Sequence, residues 1–150
     1  MRILHTTLLL AALTGATLAS AADPLFKKKS GPSDFLPVDQ AFELQPLEYR
    51  DGKLTVSWRI AKNYYLYRNR FKFALTAPAG APLEPAVFPV AEKYEDEHFG
   101  TTEIYRSSVS IKVPASGTPA GPLKLGVSYQ GCADAGLCYP IQTRTLDVTR

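Results

Sequence analysis

The chain has 150 residues, enough for one ordinary domain, and its formal net charge at pH 7 is +3. A charge this small and dispersed does not indicate a nucleic-acid-binding protein. Only two cysteines and two histidines are present, and one of the histidines, His5, falls in the leader described next. We therefore predict neither a metal site nor any other cofactor.

The first 22 residues have the pattern of a secretory signal peptide. Arg2 is the only charge before Asp23, residues 3–18 are mostly apolar, and small residues follow at 19–22. A charged start, a short apolar core and a small-residue cleavage site are typical of such peptides. The alternative is a membrane anchor, but the apolar core is short for a bilayer span, as is every later segment. We expect a mature domain over 23–150.

Alternation of apolar and polar residues predicts several β-strands. The pattern is clearest over 54–60 and returns at 71–75, 109–113 and 123–129. Side chains that alternate in this way belong to strands with one buried face. Leu146 and Val148 suggest a last strand. In a regular strand Ile141 would face the side opposite to Leu146 and Val148. We therefore expect a bulge or a change of face near Thr143.

The strands are separated by turns, and no helix is predicted. Turn signals lie at 50–52, 77–80 and 116–119, and no stretch sustains a helical period with caps. Short strands between turn clusters predict an all-β fold, either an antiparallel sandwich or a barrel. Residues 76–92 are predicted to be a long connection, and 24–37 an irregular lead-in.

The two cysteines of the mature chain, Cys132 and Cys138, are predicted to face each other on a hairpin. An exported protein with an even pair of cysteines is expected to form a disulfide. We expect a strand to enter at 127–130, a turn at 133–136, and a strand to leave at 139–141. Opposite Cα atoms on such strands are about 4.5–5.5 Å apart, which suits a disulfide.

A disulfide at this spacing contributes little to the stability of the fold. In the chain-entropy model a loop of about seven residues contributes roughly 2.4 kcal/mol, against about 4.7 kcal/mol for 100 residues. A core of this size should not depend on such a bond. The spacing is not C-x-x-C, and no helix N-terminus is evident that would lower a thiol pKa. From the spacing alone, a structural bond and a redox-active bond remain equal alternatives.

Four stretches of the chain, in order, resemble one protein family. Residues 129–140 read Tyr-Gln-Gly-Cys-Ala-Asp-Ala-Gly-Leu-Cys-Tyr-Pro, similar to the active-site hairpin of the N-terminal periplasmic domain of the thiol:disulfide interchange protein DsbD. The three other matching stretches are 35–42 (Phe-Leu-Pro-Val-Asp-Gln-Ala-Phe), 64–68 (Tyr-Tyr-Leu-Tyr-Arg), and 95–100 (Glu-Asp-Glu-His-Phe-Gly) with its continuation at 103–106 (Glu-Ile-Tyr-Arg). They resemble its opening segment, tyrosine-rich strand, cap loop and following strand.

The resemblance implies an immunoglobulin-like β-sandwich and a periplasmic redox relay. Domains of this family take electrons from a membrane-embedded partner domain of DsbD. They deliver them to periplasmic disulfide isomerases and to thioredoxin-like proteins of cytochrome c maturation. By the same resemblance, Cys138 exchanges with the partner and Cys132 resolves the mixed disulfide, which makes the chain a protein-disulfide reductase. The alternative is a secreted immunoglobulin-like binding domain with a purely structural disulfide.

The resemblance also implies surroundings for the disulfide. Acidic side chains over the sulfurs, here Asp96 and Glu97, would disfavour a thiolate and raise its pKa. The alternative is that these two acids are solvated loop charges. Tyr65 and Tyr67 fall on the strand that the family places beside the active site, although alternating tyrosines also serve ordinary strand packing.

One position departs from the family pattern. The family has an aromatic pair after the two acids, and the first aromatic shields the disulfide. Here His98 stands first, with Phe99 next. We expect that one of these two side chains covers the sulfurs, with Gly100 as the hinge of the loop.

Overall fold

The regular secondary structure of the described residues is almost entirely β-strand. A computed structural model describes residues 35–78, 82–97, 99–115 and 121–148. The predicted signal peptide, most of the lead-in and His98 lie outside the described residues. The elements are α1 (Val38–Ala41), β1 (Phe42–Leu44), β2 (Glu48–Arg50), β3 (Lys53–Ile60), β4 (Tyr64–Tyr67), a 3-10 turn (Arg68–Arg70), β5 (Lys72–Ala77), β6 (Glu92–Asp96), β7 (Gly100–Tyr105), β8 (Ser108–Pro114), β9 (Lys124–Tyr129), β10 (Gly131–Ala133) and β11 (Gln142–Asp147). None of the described helices is long and apolar enough to cross a membrane.

The described strands form three antiparallel sheets. In the first, β3 pairs with β1 and β2 along one edge and with β8 along the other. The second has the order β10-β4-β7-β6 and the third the order β11-β9-β5. The predicted long connection between β5 and β6 is confirmed. Within it, Val87 exchanges backbone hydrogen bonds with Lys112 (2.7 and 3.2 Å), so the connection covers the outer edge of β8.

The core lies where the first and third sheets meet. Leu54, Val56, Trp58 and Ile60, the alternating residues of β3, are all buried. The ring of Trp58 contacts Phe71 at 5.0 Å and Tyr129 at 5.4 Å between centroids, which joins the two sheets. Of the two folds that the alternation allowed, a sandwich and a barrel, the structure forms the antiparallel sandwich.

Strand β4 is buried on both faces. Tyr64 and Leu66 belong to the main hydrophobic core. Tyr65 and Tyr67 point the other way and form a second cluster that includes Cys132. Because side chains alternate across a strand, four consecutive residues connect the core of the domain to this second cluster.

The predicted hairpin around the cysteines is wrong in detail. The chain leaves the third sheet at Gln130, and from Gly131 it pairs with β4 in the second sheet. After the turn, Cys138 forms an isolated bridge with Cys132, and residues 139–141 are not a strand. The reason is that β4 offers its backbone edge to β10, a long-range pairing that no local pattern reveals.

The expected irregularity near Thr143 is also wrong. The register of β11 on β9 is continuous over 142–147. Leu146 and Val148 are half-buried against the core, while Ile141 is 58% exposed. Ile141 has the opposite parity because it precedes the strand on its solvent side.

Gly131 lies where β10 approaches β4 most closely. A Cβ atom here would overlap the carbonyl oxygen of Tyr65 and come within 2.6 Å of Cζ of Phe42. Gly131→Ala should therefore displace β10 together with Cys132. Overpacking of this kind lowers the free energy of unfolding by about 1–3 kcal/mol, which urea unfolding of the oxidised protein would measure.

Gly126→Ala is the matched control for this substitution. Gly126 also lies in a strand, but the nearest atom to its added Cβ is a side-chain methyl of Thr76 at 3.2 Å. The smaller clash should cost less stability. An equal loss in both variants would contradict the close approach of β10 to β4.

Candidate functional site

Cys132 and Cys138 form a disulfide at the base of a short turn. Their Cα atoms are 4.0 Å apart, and the two residues form an antiparallel bridge. The amide of Tyr139 donates to the carbonyl of Gly131 (3.0 Å), which holds the two backbone segments together beside the bond. The predicted disulfide is confirmed, and it joins backbone segments that already face each other.

The two cysteines differ in exposure. Cys132 is fully buried, where β10 pairs with β4 opposite Tyr65. Cys138 is half-buried and lines an open groove together with the turn residues 133–136. Cys138 is therefore the more accessible member of the pair.

Asp96 organises the hydroxyl groups beside the disulfide. Its Oδ2 accepts hydrogen bonds from the hydroxyls of Tyr67 (2.6 Å) and Tyr65 (2.8 Å). As the last residue of β6, Asp96 is only 6% exposed, so it is not a solvated loop charge. Glu97, the second predicted acid, is exposed and lines the groove beside Cys138.

Tyr67 connects this carboxylate to the sulfurs. Its Oη lies 3.2 Å from Sγ of Cys132 and 3.9 Å from Sγ of Cys138. The only hydroxyl proton of Tyr67 is donated to Asp96, so Oη presents lone pairs towards the sulfurs. Such an oxygen can accept a hydrogen bond from a thiol, but it disfavours negative charge on sulfur.

Both tyrosine hydroxyls are held in the protonated form. Burial and the hydrogen bond to Asp96 raise the pKa of Tyr67 to about 12. Burial and the hydrogen bonds to Tyr67 and Asp96 raise the pKa of Tyr65 as well. The two hydroxyls therefore remain donors at neutral pH, and the network around Asp96 persists.

The turn after β6 brings Phe99 onto Tyr67. The two rings are nearly perpendicular, with centroids 5.1 Å apart, and the amide of Phe99 donates to Oδ1 of Asp96 (3.0 Å). Gly100, the predicted hinge, has φ +66°, a conformation that favours glycine. Phe99 thus contacts the site, whereas His98 lies outside the described residues.

Sequence reasoning missed two side chains of this cluster. The guanidinium of Arg106 lies over the rings of Tyr65 (5.1 Å) and Tyr94 (5.4 Å) and pairs with Asp134 in the cysteine turn (2.9 Å). Tyr94 could have been found, because it precedes Asp96 by two positions, the spacing of side chains on one face of a strand. No local signal connects Arg106 with Asp134, which is 28 positions away.

Comparison with known proteins identifies the family. The family model for the N-terminal part of the thiol:disulfide interchange protein DsbD matches residues 32–150. The chain belongs to this family. It is 42% identical over 149 residues to DsbD 2 of Pseudomonas aeruginosa, covering 99% of the chain and 24% of that protein. It is 40% identical over 131 residues to DsbD of Cronobacter sakazakii, covering 87% and 22%. The chain spans about a quarter of the length of these curated relatives.

Two solved structures of DsbD N-terminal domains are similar to the chain. The reduced domain from Neisseria meningitidis has a TM-score of 0.73 and 33% identity, over 81% of the chain and 94% of the domain. In its complex with the PilB N-terminal domain, the TM-score is 0.66 and the identity 34%, over 76% of the chain and 87% of the domain. The immunoglobulin-like fold implied by the family resemblance is confirmed.

Replacing Asp96 with Asn tests the effect of the buried charge on the sulfurs. Asp96 Oδ2 lies 2.6 Å from Oη of Tyr67, which lies 3.2 Å from Sγ of Cys132. A unit charge about 6 Å away opposes a thiolate by roughly 2–3 kcal/mol at an effective dielectric constant of about 20. The reduced Asp96→Asn protein should therefore be alkylated by iodoacetamide at neutral pH at least about tenfold faster than the wild type.

Glu97→Gln is the control for this experiment. It removes an acid from the next position, but solvent screens the exposed carboxylate, so a much smaller acceleration is expected. Circular dichroism would establish that both variants keep the fold. Equal alkylation rates for wild type and Asp96→Asn would contradict a role of the buried charge.

Proposed function

We propose that the chain is a periplasmic thiol–disulfide exchange domain that acts as a protein-disulfide reductase. It receives two electrons from a membrane-embedded donor domain and reduces disulfide isomerases and thioredoxin-like proteins of cytochrome c maturation. Membership of the DsbD N-terminal family supports the exchange chemistry. The complex of the Neisseria meningitidis domain with a PilB domain supports a protein partner. Residues 1–22 direct export as a signal peptide.

The observation that carries the proposal is the unequal exposure of the two cysteines. Cys138 lies at an open groove and exchanges with the partner, while Cys132 is buried behind it and resolves the mixed disulfide. Exchange requires an accessible sulfur for the first attack and a second thiol in reach for the next. The bridge between the two residues supplies that reach.

The reaction moves two electrons in two displacement steps. The thiolate of Cys138 attacks one sulfur of the partner disulfide, the partner bond breaks, and its other sulfur leaves as a thiolate that takes up a proton. The thiolate of Cys132 then attacks Sγ of Cys138 and releases the second partner sulfur. The partner gains two electrons and two protons, and the domain is oxidised to its disulfide. The dithiol of the donor recharges the domain by the same steps in reverse.

The groups around the sulfurs restrain the reduced pair until a partner docks. Tyr67 presents oxygen lone pairs to both sulfurs, and the Asp96 carboxylate stands behind it. Both disfavour a thiolate, and only a thiolate attacks a disulfide. The reduced domain therefore reacts slowly with disulfides that it meets at random.

Replacing Cys132 with Ser should trap a covalent complex with the partner. A suitable probe is the PilB N-terminal domain, with one active-site cysteine replaced by Ser and the other carrying thionitrobenzoate. The free thiol of Cys138 should displace the coloured thionitrobenzoate in stoichiometric amount. The mixed disulfide should then persist, because the resolving thiol is absent. Absorbance and non-reducing gels would measure the two products.

Replacing Cys138 with Ser is the matched control and should trap little, since Cys132 is buried. A better yield from this control would reverse the roles of the two cysteines. A wild-type disulfide with a potential below about −300 mV in a glutathione titration would instead favour the structural alternative.

Phe99→Ala should expose the disulfide to small thiols. The ring packs against Tyr67, whose hydroxyl contacts both sulfurs, so its loss opens a path to them. Reduction of the oxidised domain by dithiothreitol should become several-fold faster while the circular dichroism spectrum is retained.

His98→Ala is the companion variant. If the imidazole covers the sulfurs, its protonation should make the exchange rates of wild type and His98→Ala diverge between about pH 5.5 and 7. Parallel pH profiles would assign the shield to Phe99. Unchanged small-thiol reactivity in both variants would mean that the loop does not shield the disulfide.

A further inference from the structure

Arg70 contacts the aromatic ring that packs against Tyr67. The 3-10 turn after β4 carries Arg70 to a point where its Cζ is 4.5 Å from the centroid of the Phe99 ring. The centroid of the Phe99 ring also lies 5.1 Å from the centroid of the Tyr67 ring. A single stretch of chain, β4 and its following turn, therefore supplies both an aromatic ring and a cation that contact Phe99.

The contacts of Arg70 differ from those of nearby arginines. Arg68 pairs with Glu103 (2.6 Å), and Arg106 pairs with Asp134 (2.9 Å). Arg70 makes no ion pair with any residue that the structure describes, and its buried Nε has no hydrogen-bond partner there. The π-face of Phe99 is thus the main partner of this guanidinium, and desolvation strengthens such a contact.

Phe99 gains from Arg70 a contact to its ring in addition to the contact with Tyr67. The side chain is 43% exposed, so burial alone holds the ring weakly, and its neighbour Gly100 has the backbone freedom to let the turn move. The amide of Phe99 is tied to Asp96, but that bond does not restrain the ring. The cation of Arg70 lies against the ring itself.

We propose that Arg70 is a positioning residue that latches the Phe99 ring against Tyr67, beside the disulfide, and so limits the access of small thiols. The proposal deepens the proposed exchange function, because the latch protects the same Cys132–Cys138 bond until a partner displaces the ring. Arg70 does not touch the sulfurs in this scheme. Its effect passes through Phe99, and this is what the test must show.

The test is a double-mutant cycle on the oxidised domain, with the rate of reduction by dithiothreitol as the readout. Arg70→Ala should raise the rate about two- to fivefold, the range that loss of a partly exposed cation–π contact supports. Arg70→Lys, which keeps the charge, should restore part of the protection. In a Phe99→Ala background, Arg70→Ala should have no further effect, because the ring that it holds is absent.

Arg68→Ala is the matched control. It removes the same charge two positions earlier in the chain, but the Arg68 side chain contacts Glu103 and Phe88 instead of Phe99. Its reduction rate should stay at the wild-type value. A simple electrostatic role predicts the opposite sign for Arg70→Ala, because loss of a positive charge slows the approach of an attacking thiolate.

A slower or unchanged rate in Arg70→Ala, or an equal acceleration with and without Phe99, would overturn the latch. If Arg70→Ala does not fold, Arg70→Gln replaces it in the same double-mutant cycle. Circular dichroism would establish that each variant is folded. The small-thiol rates involve no partner protein. If the latch cycle succeeds while Cys132→Ser traps no partner, the latch stands and the proposed exchange function fails.

Discussion

Burial of both faces of β4 is the constraint on which the site depends. Tyr64 and Leu66 are fixed in the hydrophobic core, so Tyr65 and Tyr67 have no freedom to turn away from the second cluster. Their hydroxyls are buried and require an acceptor, because an unpaired buried polar group is costly. Asp96 is that acceptor, and the amide of Phe99 provides it with a further hydrogen bond.

The site is assembled from three segments that are distant in the sequence. β4 contributes the tyrosines, the end of β6 and its following turn contribute Asp96 and Phe99, and β10 with its turn contributes the disulfide. All three belong to the second sheet, where β10 and β7 flank β4. Backbone pairing thus sets the distance between the sulfurs and the hydroxyl network, and the glycine at the start of β10 permits the close approach.

Alternation of apolar and polar residues predicts a strand only where one face is buried. This explains which strands could be predicted from the sequence. β3, β8 and β9 have one buried face and were found in this way. β4 has two, so its four buried residues show no alternation, and only the family resemblance pointed to it. The change of sheet at Gln130 and the pair of Arg106 with Asp134 depend on long-range packing. The immunoglobulin-like topology likewise came from the resemblance.

The six-residue separation of Cys132 and Cys138 makes the disulfide a small constraint on the fold. Opening a loop this short releases little chain entropy, so interconversion of dithiol and disulfide is local chemistry and not a folding event. The similarity of this oxidised chain to a reduced relative agrees with that view. Under the proposed function, the domain would need no refolding between cycles of exchange. Reduction of the bond would then be felt mainly at the sulfurs and at the Tyr67 hydroxyl beside them.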